Sequence, residues 1–282
     1  MPVLLAGPTA SGKSSLALAI AEAQGGVIVN ADALQVFADW RVLTARPSAA
    51  ETARARHLLY GHVPWDRAYS VGDWLRDATN LPHRARPIFV GGTGLFFRAL
   101  TEGLANIPPT PPKIREEAEA RLATLGLPAL AAELDAEVRE TLDLQNPMRV
   151  LRAWEVKRAT GRSIRAWHAE TPPPLIPPNK AAKIVLDAPK DWLSPRIESR
   201  FDLMLEGGAL EEVRTILPRW DSRLNAAKAI GAPELVAHLR GQLSLDDARS
   251  AAVTATRQYA KRQRTWFRKR MRNWWRIDAH LL

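Results

Sequence analysis

The residues GPTASGKSS at positions 7–15 are the stretch of this 282-residue chain whose types and spacing are best suited to chemistry. They follow the apolar run VLLA and lead into SSLALAIAEA, which has helical character. The stretch matches the pattern G-x-x-x-x-G-K-[ST] in full. In this pattern, backbone N–H groups and a helix N-terminus surround a phosphate, the lysine adds a full positive charge, and the serine hydroxyl can bind Mg²⁺. The predicted phosphate site consists of Gly7, Pro8, Thr9, Ala10, Ser11, Gly12, Lys13 and Ser14.

The phosphate loop alone does not distinguish a nucleotide from another diphosphate. A GTPase is disfavoured, because the Asn-Lys pair at Asn179 continues as NKAA and lacks the base-reading N-K-x-D pattern. Asp32 follows the apolar segment VIVN and lies on a loop. Loops at the carboxyl ends of parallel strands share one crevice, so we expect Asp32 to face the phosphate loop. There it could bind metal or accept a proton, and the alternative for Asp32 is a helix N-cap.

Four short apolar segments, with helix-like stretches between most of them, predict the sheet that positions these residues. Alternation of this kind is typical of an α/β fold whose parallel sheet is covered on both faces. The predicted strands are Val3–Ala6, Val27–Asn30, 88–90 and 183–186.

Two proline clusters, at residues 106–113 and 171–180, interrupt this alternation. The stretch between them has helical spacing, so we predict a helical lobe at 114–180, inserted into a core made of 1–113 and 181–282. A single domain with two proline-rich surface loops is the alternative. The last third, residues 194–276, is predicted as three helices with breaks near Pro218 and at 241–244.

The net charge of +10 is confined to the C-terminal stretch. Residues 249–277 hold ten Lys or Arg and no acid, whereas the rest of the chain holds 30 bases and 30 acids. The distribution predicts a polyanionic partner for one surface. Aromatic side chains interleaved with the bases are predicted mainly to pack in the core, and these are Tyr259, Trp266, Phe267, Trp274 and Trp275. The basic stripe predicted on one helix face consists of Arg257, Lys261, Arg264, Arg268 and Arg272.

The rest of the composition limits the kinds of site and partner that the protein can have. The chain has no cysteine, which excludes disulfides and thiolate metal sites and suits a cytoplasmic protein. No apolar run approaches the length of a membrane span, so we expect no membrane partner. The histidines show no metal-ligand spacing, so zinc is not predicted. They are His57, His62, His83, His168, His238 and His280.

Six stretches in series resemble the tRNA dimethylallyltransferases, also called tRNA isopentenyltransferases. The resemblance covers nearly the whole chain and implies a P-loop kinase-like α/β core, an inserted helical lobe that acts on the tRNA anticodon stem, and helical C-terminal residues. The segment after Phe37 departs from the family's usual YRGMDIGTAKP type and reads ADWRVLTARP. The six stretches are GPTASGKSS, NADALQVF, VGGTGLFFRAL, NPMRVLRAWEV, RIESRFDLMLEGG and TATRQYAKRQRTWFR.

The resemblance also implies the reaction and its residues. The dimethylallyl group of dimethylallyl diphosphate moves to N6 of the adenine 3′ of the anticodon, with Mg²⁺ assisting release of diphosphate. Asp32 matches the general base, and Gln35 lies in the loop that reads the flipped adenine, its amide suited to a donor–acceptor pattern. Thr93 matches a residue near the bridging oxygen of the diphosphate, and Arg200 a diphosphate-binding arginine. A strand-end hydroxyl for Thr93 and a surface helix position for Arg200 are the alternatives.

The surfaces expected to meet tRNA follow from charge and resemblance together. Residues 147–169 carry six bases against Glu155 alone, so this half of the lobe is the predicted RNA face, with a solvated charged helix as the alternative. We expect a monomer. The predicted tRNA-binding residues are Asp32, Ala33, Leu34, Gln35, Thr93, Arg115, Met148, Arg149, Val150, Leu151, Arg152, Lys228, Ala229, Ile230, Gly231, Arg257, Lys261, Arg264 and Arg268.

Two other functions share parts of this pattern. A small-molecule or nucleoside kinase would use the same loop and sheet, but it explains neither the basic C-terminal stretch nor the inserted lobe. A non-catalytic RNA-binding protein could use a nucleotide only as a switch. The two rivals predict, respectively, phosphoryl transfer to a small acceptor and nucleotide-dependent RNA binding without a modified adenine.

Overall fold

The computed structural model describes residues 1–82 and 86–282, which fold into two compact units. One unit contains Met1–Thr101 and Ile176–Leu282, and the other contains Glu102–Leu175. The division falls earlier at both ends than the predicted boundaries of the lobe, 114 and 180. The first proline cluster belongs to the second unit, because Arg152 Nη1 donates a hydrogen bond to Thr110 Oγ1 at 2.7 Å and Thr110 is buried.

The first unit is built on a six-stranded, all-parallel sheet with the order β3-β2-β4-β1-β5-β6. The predicted α/β class is confirmed. Four strands occupy the predicted segments, because continuous apolar runs become strands that are buried on both faces. The strands are β1 (Val3–Ala6), β2 (Val27–Asn30), β3 (His57–Leu58), β4 (Pro87–Gly91), β5 (Ala182–Asp187) and β6 (Trp275–Asp278).

Two strands escape the sequence pattern. Strand β3 has only two residues, and β6 lies at the sheet edge with no apolar run. Strand β6 also corrects the prediction for Trp275, whose side chain is 67% exposed instead of packing in the core. Edge strands need no apolar run, because one side of their ladder is open to water.

Helices cover the sheet and form the C-terminal third of the first unit. The last third contains four helices and a strand, not three helices, because Gly208 (φ 96°) breaks the chain between α9 and α10. Helix α12 ends at Arg270, so Arg272 lies outside the helix that was predicted to carry it. The helices are α1 (Lys13–Gln24), α2 (Ala49–Arg54), α3 (Val71–Thr79), α4 (Gly94–Glu102), α9 (Lys190–Glu206), α10 (Ala209–Ile216), α11 (Ala232–Leu239) and α12 (Leu245–Arg270).

The second unit is helical and has its own core. Helix α7 begins as its sequence predicts, with Pro147 in the first turn and the Asn146 side chain accepting a hydrogen bond from Arg149 N. The core packs α5 against α7, with Leu130, Val150 and Trp154 among its buried side chains. The helices are α5 (Pro112–Ala132), which is kinked at residue 126, α6 (Ala136–Thr141), α7 (Pro147–Thr160) and α8 (Ile164–Ala169).

None of the described helices is both long and apolar enough to cross a membrane.

Candidate functional site

A cavity of about 100 Å³ in the first unit brings together residues from five parts of the chain. The phosphate loop, the loop after β2, helix α9, the segment before α11 and helix α12 all contribute to its walls. Parallel strands end at the same edge, so β1 and β2 deliver their following loops to one place. The lining residues are Thr9, Lys13, Ser14, Asp32, Leu34, Gln35, Leu43, Thr44, Ile197, Arg200, Phe201, Met204, Ile230, Thr256 and Tyr259.

The phosphate loop is held in place by arginines of α9. Arg200 Nη1 donates to Thr9 Oγ1 at 3.1 Å, and Arg196 Nε donates to the carbonyl of Ala10 at 3.1 Å. Ala10 has φ 62°, a left-handed conformation that costs a non-glycine residue energy. The side-chain hydrogen bond to its carbonyl helps to hold this conformation. Arg200 is therefore part of the site and not a surface residue.

Lys13 and Arg200 place two cations beside one carboxylate. Burial, and then the charge of Arg200, lower the pKa of Lys13 to about 8, while Asp32 acts in the opposite direction. Burial also lowers the pKa of Arg200, and Asp32 again opposes the shift. Lys13, Arg200 and Asp32 all line the same cavity. Two cations with one anion leave an excess positive charge that suits a diphosphate.

Asp32 is fixed through its backbone by a buried asparagine. Asn30 Oδ1 accepts from Asp32 N at 2.8 Å, and Asn30 Nδ2 donates to Asp32 O at 2.9 Å. Asp32 Oδ1 accepts from Leu34 N at 3.0 Å, which closes a local turn and begins no helix. Asp32 Oδ2 has no hydrogen-bond partner among the described residues, and Asp32 is one of the residues that line the cavity. The N-cap alternative is therefore wrong, and the carboxylate keeps one oxygen for a substrate.

Thr93 lies behind the loop that carries Asp32. Its hydroxyl accepts from Ala33 N at 3.0 Å, and Thr93 N donates to Ala31 O at 3.2 Å. The backbone at Ala31 can lie this close to the end of β4 because residue 91 is glycine. A Cβ at Gly91 would stand 2.0 Å from Ala31 O. Thr93 follows the end of β4 and fixes the backbone next to Asp32, and its predicted place near the diphosphate stays a prediction.

The amide of Gln35 is already engaged by the protein. Its Nε2 donates to the carbonyls of Thr44 and Ala45, both at 2.9 Å. Two carbonyl acceptors require the NH₂ group to point at them, which assigns the amide orientation chemically. Only Oε1 remains for a ligand. The contact of Gln35 with adenine stays a prediction, and this arrangement leaves the side chain only an acceptor for it.

Two site residues on α12 were not predicted as functional. Gln263 is buried, accepts from Thr9 N at 2.9 Å and donates to Gly92 O at 3.0 Å, so it joins the phosphate loop to the turn before Thr93. Burial and the charge of Asp32 raise the pKa of Tyr259, and hydrogen bonds with Thr93 and Gln263 partly oppose this. Tyr259 and Gln263 are four residues apart, which places them on one face of α12. This spacing is a sequence signal, but the basic residues around it obscured it.

The basic residues of α12 differ in exposure and in ion pairing. Arg257 forms an ion pair with Glu198, whereas Lys261 and Arg268 are exposed. Arg264 is half-buried, and its Nε is buried without a partner among the described residues. These side chains line a groove of about 390 Å³ between α9 and α12, together with Lys190, Leu193, Ser194, Ile197, Gln258, Ala260 and Thr265.

The remaining predicted RNA contacts divide by exposure. Met148 is 74% exposed, and Arg115, Arg149 and Lys228 are also exposed. Three predicted residues have buried side chains that pack in a core, and their assignment to tRNA binding stays a prediction. These three are Val150, Leu151 and Ala229.

The donor set of the cavity bears on metal binding. No group of three His, Asp or Glu side chains that could hold a metal occurs within residues 1–82 and 86–282, and His83 lies outside the described residues. The exposed hydroxyl of Ser14 and the carboxylate of Asp32 line one cavity. Mg²⁺ characteristically takes one or two protein oxygens and completes its shell with phosphate oxygens and water. The set therefore fits Mg²⁺ shared with a diphosphate.

Comparison with known proteins gives concordant matches over nearly the whole chain. A family model described as IPP transferase matches residues 35–270, and one described as isopentenyl transferase matches residues 2–61. A tRNA dimethylallyltransferase of Cereibacter sphaeroides (strain KD131) is 62% identical over 277 residues, covering 98% of this chain and 88% of its own. One of Dinoroseobacter shibae is 61% identical over 276 residues, with coverages of 97% and 93%.

Solved structures agree in fold. The tRNA isopentenylpyrophosphate transferase of Bacillus halodurans superposes with a TM-score of 0.69 at 29% identity, over 98% of this chain and 89% of that one. A eukaryotic dimethylallyltransferase crystallised acting on tRNA gives a TM-score of 0.83 at 24% identity, over 99% and 73%. The second match supports the fold alone.

Proposed function

The chain belongs to the IPP transferase family, and from this premise we propose that it transfers the dimethylallyl group of dimethylallyl diphosphate to tRNA. The proposed acceptor is N6 of the adenine 3′ of the anticodon, and the second product is diphosphate. Relatives named tRNA dimethylallyltransferase at 58–62% identity support this assignment. The observation that carries it is the single cavity in which Lys13, Arg200 and Asp32 meet.

The proposal assigns a group of the protein to each part of the reaction. The adenine N6 attacks the allylic carbon of the prenyl group, and the carbon–oxygen bond to the diphosphate breaks with its electron pair on oxygen. Lys13 and Arg200 stabilise the charge that grows on this leaving group. Asp32 Oδ2 accepts the proton that N6 loses. Buried Asn30 and the turn to Leu34 fix the carboxylate, so little reorganisation is needed during the step.

A magnesium ion fits the phosphate side of the site. Ser14 would hold it, with Asp32 in reach of the same cavity and phosphate oxygens completing the shell. When bound, the ion supplies further positive charge to the leaving diphosphate. The protein cations described above act on the same oxygens.

The tRNA surfaces are proposed from exposure and charge. In the first unit, Lys261 and Arg268 of α12 and Lys228 offer exposed cations to phosphates. In the lobe, Met148 and Arg149 at the start of α7 are exposed. Such contacts position an RNA backbone, and base recognition requires the cavity.

One incubation tests the function, and parallel incubations with labelled ATP or with GTP test its rivals. The protein is mixed with unmodified tRNA, dimethylallyl diphosphate and Mg²⁺, and the tRNA digest is analysed by mass spectrometry. We expect the mass of one dimethylallyl group on one adenosine, and none on a tRNA with guanosine at that position. Label transferred from ATP to a small acceptor would instead indicate a kinase. RNA binding that needs ATP or GTP and leaves every adenosine unmodified would indicate a switch.

A further inference from the structure

Glu212 of α10 is attached to a loop that lies far from it in sequence. Its carboxylate accepts hydrogen bonds from three consecutive backbone N–H groups, those of Arg41 at 2.5 Å, Val42 at 3.0 Å and Leu43 at 2.9 Å. The side chain is half-buried. Three N–H donors on one carboxylate form a strong, charge-assisted anchor.

The anchored segment is a tight turn whose far end holds Gln35. The turn is closed by Ala45 N to Val42 O and by Arg46 N to Arg41 O, both at 2.9 Å. Its last carbonyls, those of Thr44 and Ala45, accept the two hydrogen bonds from Gln35 Nε2. A displacement of the turn therefore displaces the groups that orient the Gln35 amide.

The turn contains backbone strain that its anchors must offset. Ala45 has φ 48°, a left-handed conformation that non-glycine residues avoid. Strain of this kind persists only where the surroundings fix the backbone. Glu212 fixes the beginning of the turn, and Arg46 Nη1, which donates to Phe37 O and Ala38 O at 3.2 Å, helps to fix its end.

We propose that Glu212 is a positioning residue for acceptor recognition, acting through the turn 41–46 on Gln35. With Nε2 held by the turn, Gln35 keeps Oε1 as its free acceptor and Asp32 keeps Oδ2, and both side chains line the same cavity. Two fixed acceptors match the two N–H bonds of an exocyclic amine. They disfavour a purine with a carbonyl oxygen at that position, because acceptor would then face acceptor. This step rests on the proposed function, since it takes adenine as the acceptor.

The test compares Glu212→Gln with Glu211→Gln, the same chemical change on the neighbouring residue. Glu211 is exposed and pairs with Arg214 on its own helix. The substituted amide at 212 keeps the side-chain shape but turns an NH₂ group toward a backbone N–H. We expect E212Q to lower kcat/KM for tRNA roughly tenfold through misplacement of Gln35. The KM for dimethylallyl diphosphate should stay unchanged, and E211Q should match the parent protein.

A double-mutant cycle with Gln35→Ala separates positioning from general stability. If Glu212 acts through Gln35, the double variant E212Q/Q35A loses no more activity than Q35A alone. Effects that multiply would overturn the proposal, as would an equal rise of both substrates' KM values. Preference for adenosine over inosine at the target position should fall in E212Q and not in E211Q.

Hydrogen exchange keeps the proposal testable in every case. The amides of residues 41–43 should exchange faster in E212Q than in E211Q, while those of the phosphate loop stay the same. Unchanged exchange at 41–43 contradicts the anchor itself. If the parent protein modifies no tRNA, the proposed function fails, and the exchange result still decides whether Glu212 holds the turn. If E212Q does not fold, Glu212→Asp, which keeps the charge at shorter reach, replaces it in the same measurements.

Discussion

The phosphate loop, residues 7–14, and the second loop, residues 32–46, line the same cavity but are built for different tasks. Each contains an alanine at positive φ whose carbonyl is held by a side-chain N–H, Ala10 by Arg196 and Ala45 by Gln35. The phosphate loop contributes one cation, Lys13, whose charge is opposed by burial. The second loop exposes oxygen acceptors locked by backbone hydrogen bonds.

The two loops therefore contribute to the site in different ways. Lys13 and Arg200 bind through charge, and the contribution of Lys13 depends on pH because burial lowers its pKa to about 8. Asp32 and Gln35 act through orientation, so their contribution depends on anchors such as Asn30 and Glu212. Leu59, the third non-glycine residue with positive φ in the described part of the chain, extends the pattern, because Asn30 Nδ2 donates to its carbonyl at 3.0 Å. Residues with strained backbone therefore lie in loops near the edge of the sheet where the substrate is proposed to bind.

The largest effect should come from removing the acceptor charge on the second loop. Asp32→Asn keeps an oxygen for Leu34 N but cannot take a proton. We expect kcat for prenyl transfer to fall by roughly 10²–10⁴-fold, while tRNA affinity stays near that of the parent protein. Single-turnover assays and filter binding measure the two quantities. Full activity in this variant would remove Asp32 from the role of base.

Breaking the link between the phosphate loop and the turn before Thr93 should have the next largest effect. Gln263→Leu leaves Thr9 N and Gly92 O buried without partners, at about 1–3 kcal/mol each. We expect a lower melting temperature and a higher KM for dimethylallyl diphosphate. Gln258→Leu, on the exposed side of α12, is the matched control and should change neither. Equal behaviour of the two variants would contradict the role assigned to Gln263.

The charge of the phosphate loop should make diphosphate binding depend on pH. Since burial lowers the pKa of Lys13 to about 8, the free protein releases this proton near pH 8, whereas the unfolded chain keeps it to about 10.5. Protonated Lys13 is the form that binds an anion, so affinity should fall roughly fivefold between pH 8 and 9. Deprotonation of Lys13 also removes the cost of burying its charge. The free energy of unfolding should therefore increase as pH rises from 8 toward 10.5.

Calorimetry with dimethylallyl diphosphate in two buffers of different ionisation heat measures the proton uptake. Lys13→Arg is the control, because a guanidinium stays charged over this range while the ligand ionises identically. Proton uptake of equal size in both proteins would assign the pH dependence to a group other than Lys13.

The smallest effect at low salt should come from the basic face of α12. Replacing Lys261 and Arg268, both exposed, with Gln should reduce the salt dependence of tRNA binding by about one unit of slope per lost phosphate contact. Arg257→Gln should change the slope less, because its ion pair with Glu198 already occupies the guanidinium. Affinity measured from low to moderate salt decides the matter, and an unchanged slope in the double variant would exclude this face.

Local sequence determined the parts of the molecule whose physics is local. The phosphate loop could be predicted because its glycines, Lys13 and Ser14 act within eight residues. Four strands could be predicted because buried parallel strands are continuous apolar runs. The start of α7 was also readable, since Asn146 caps the helix and Pro147 fits its first turn.

Only the tertiary structure decided which side chains complete the site. Gln263 reaches Thr9 and Glu212 reaches residues 41–43 across most of the chain, and no spacing encodes such contacts. The tertiary structure also assigned Gln35 its acceptor role, because the carbonyls of Thr44 and Ala45 occupy its N–H groups. The residue type determines which interactions a side chain can make. Its hydrogen-bond partners within the protein determine which of these interactions remain available for a substrate.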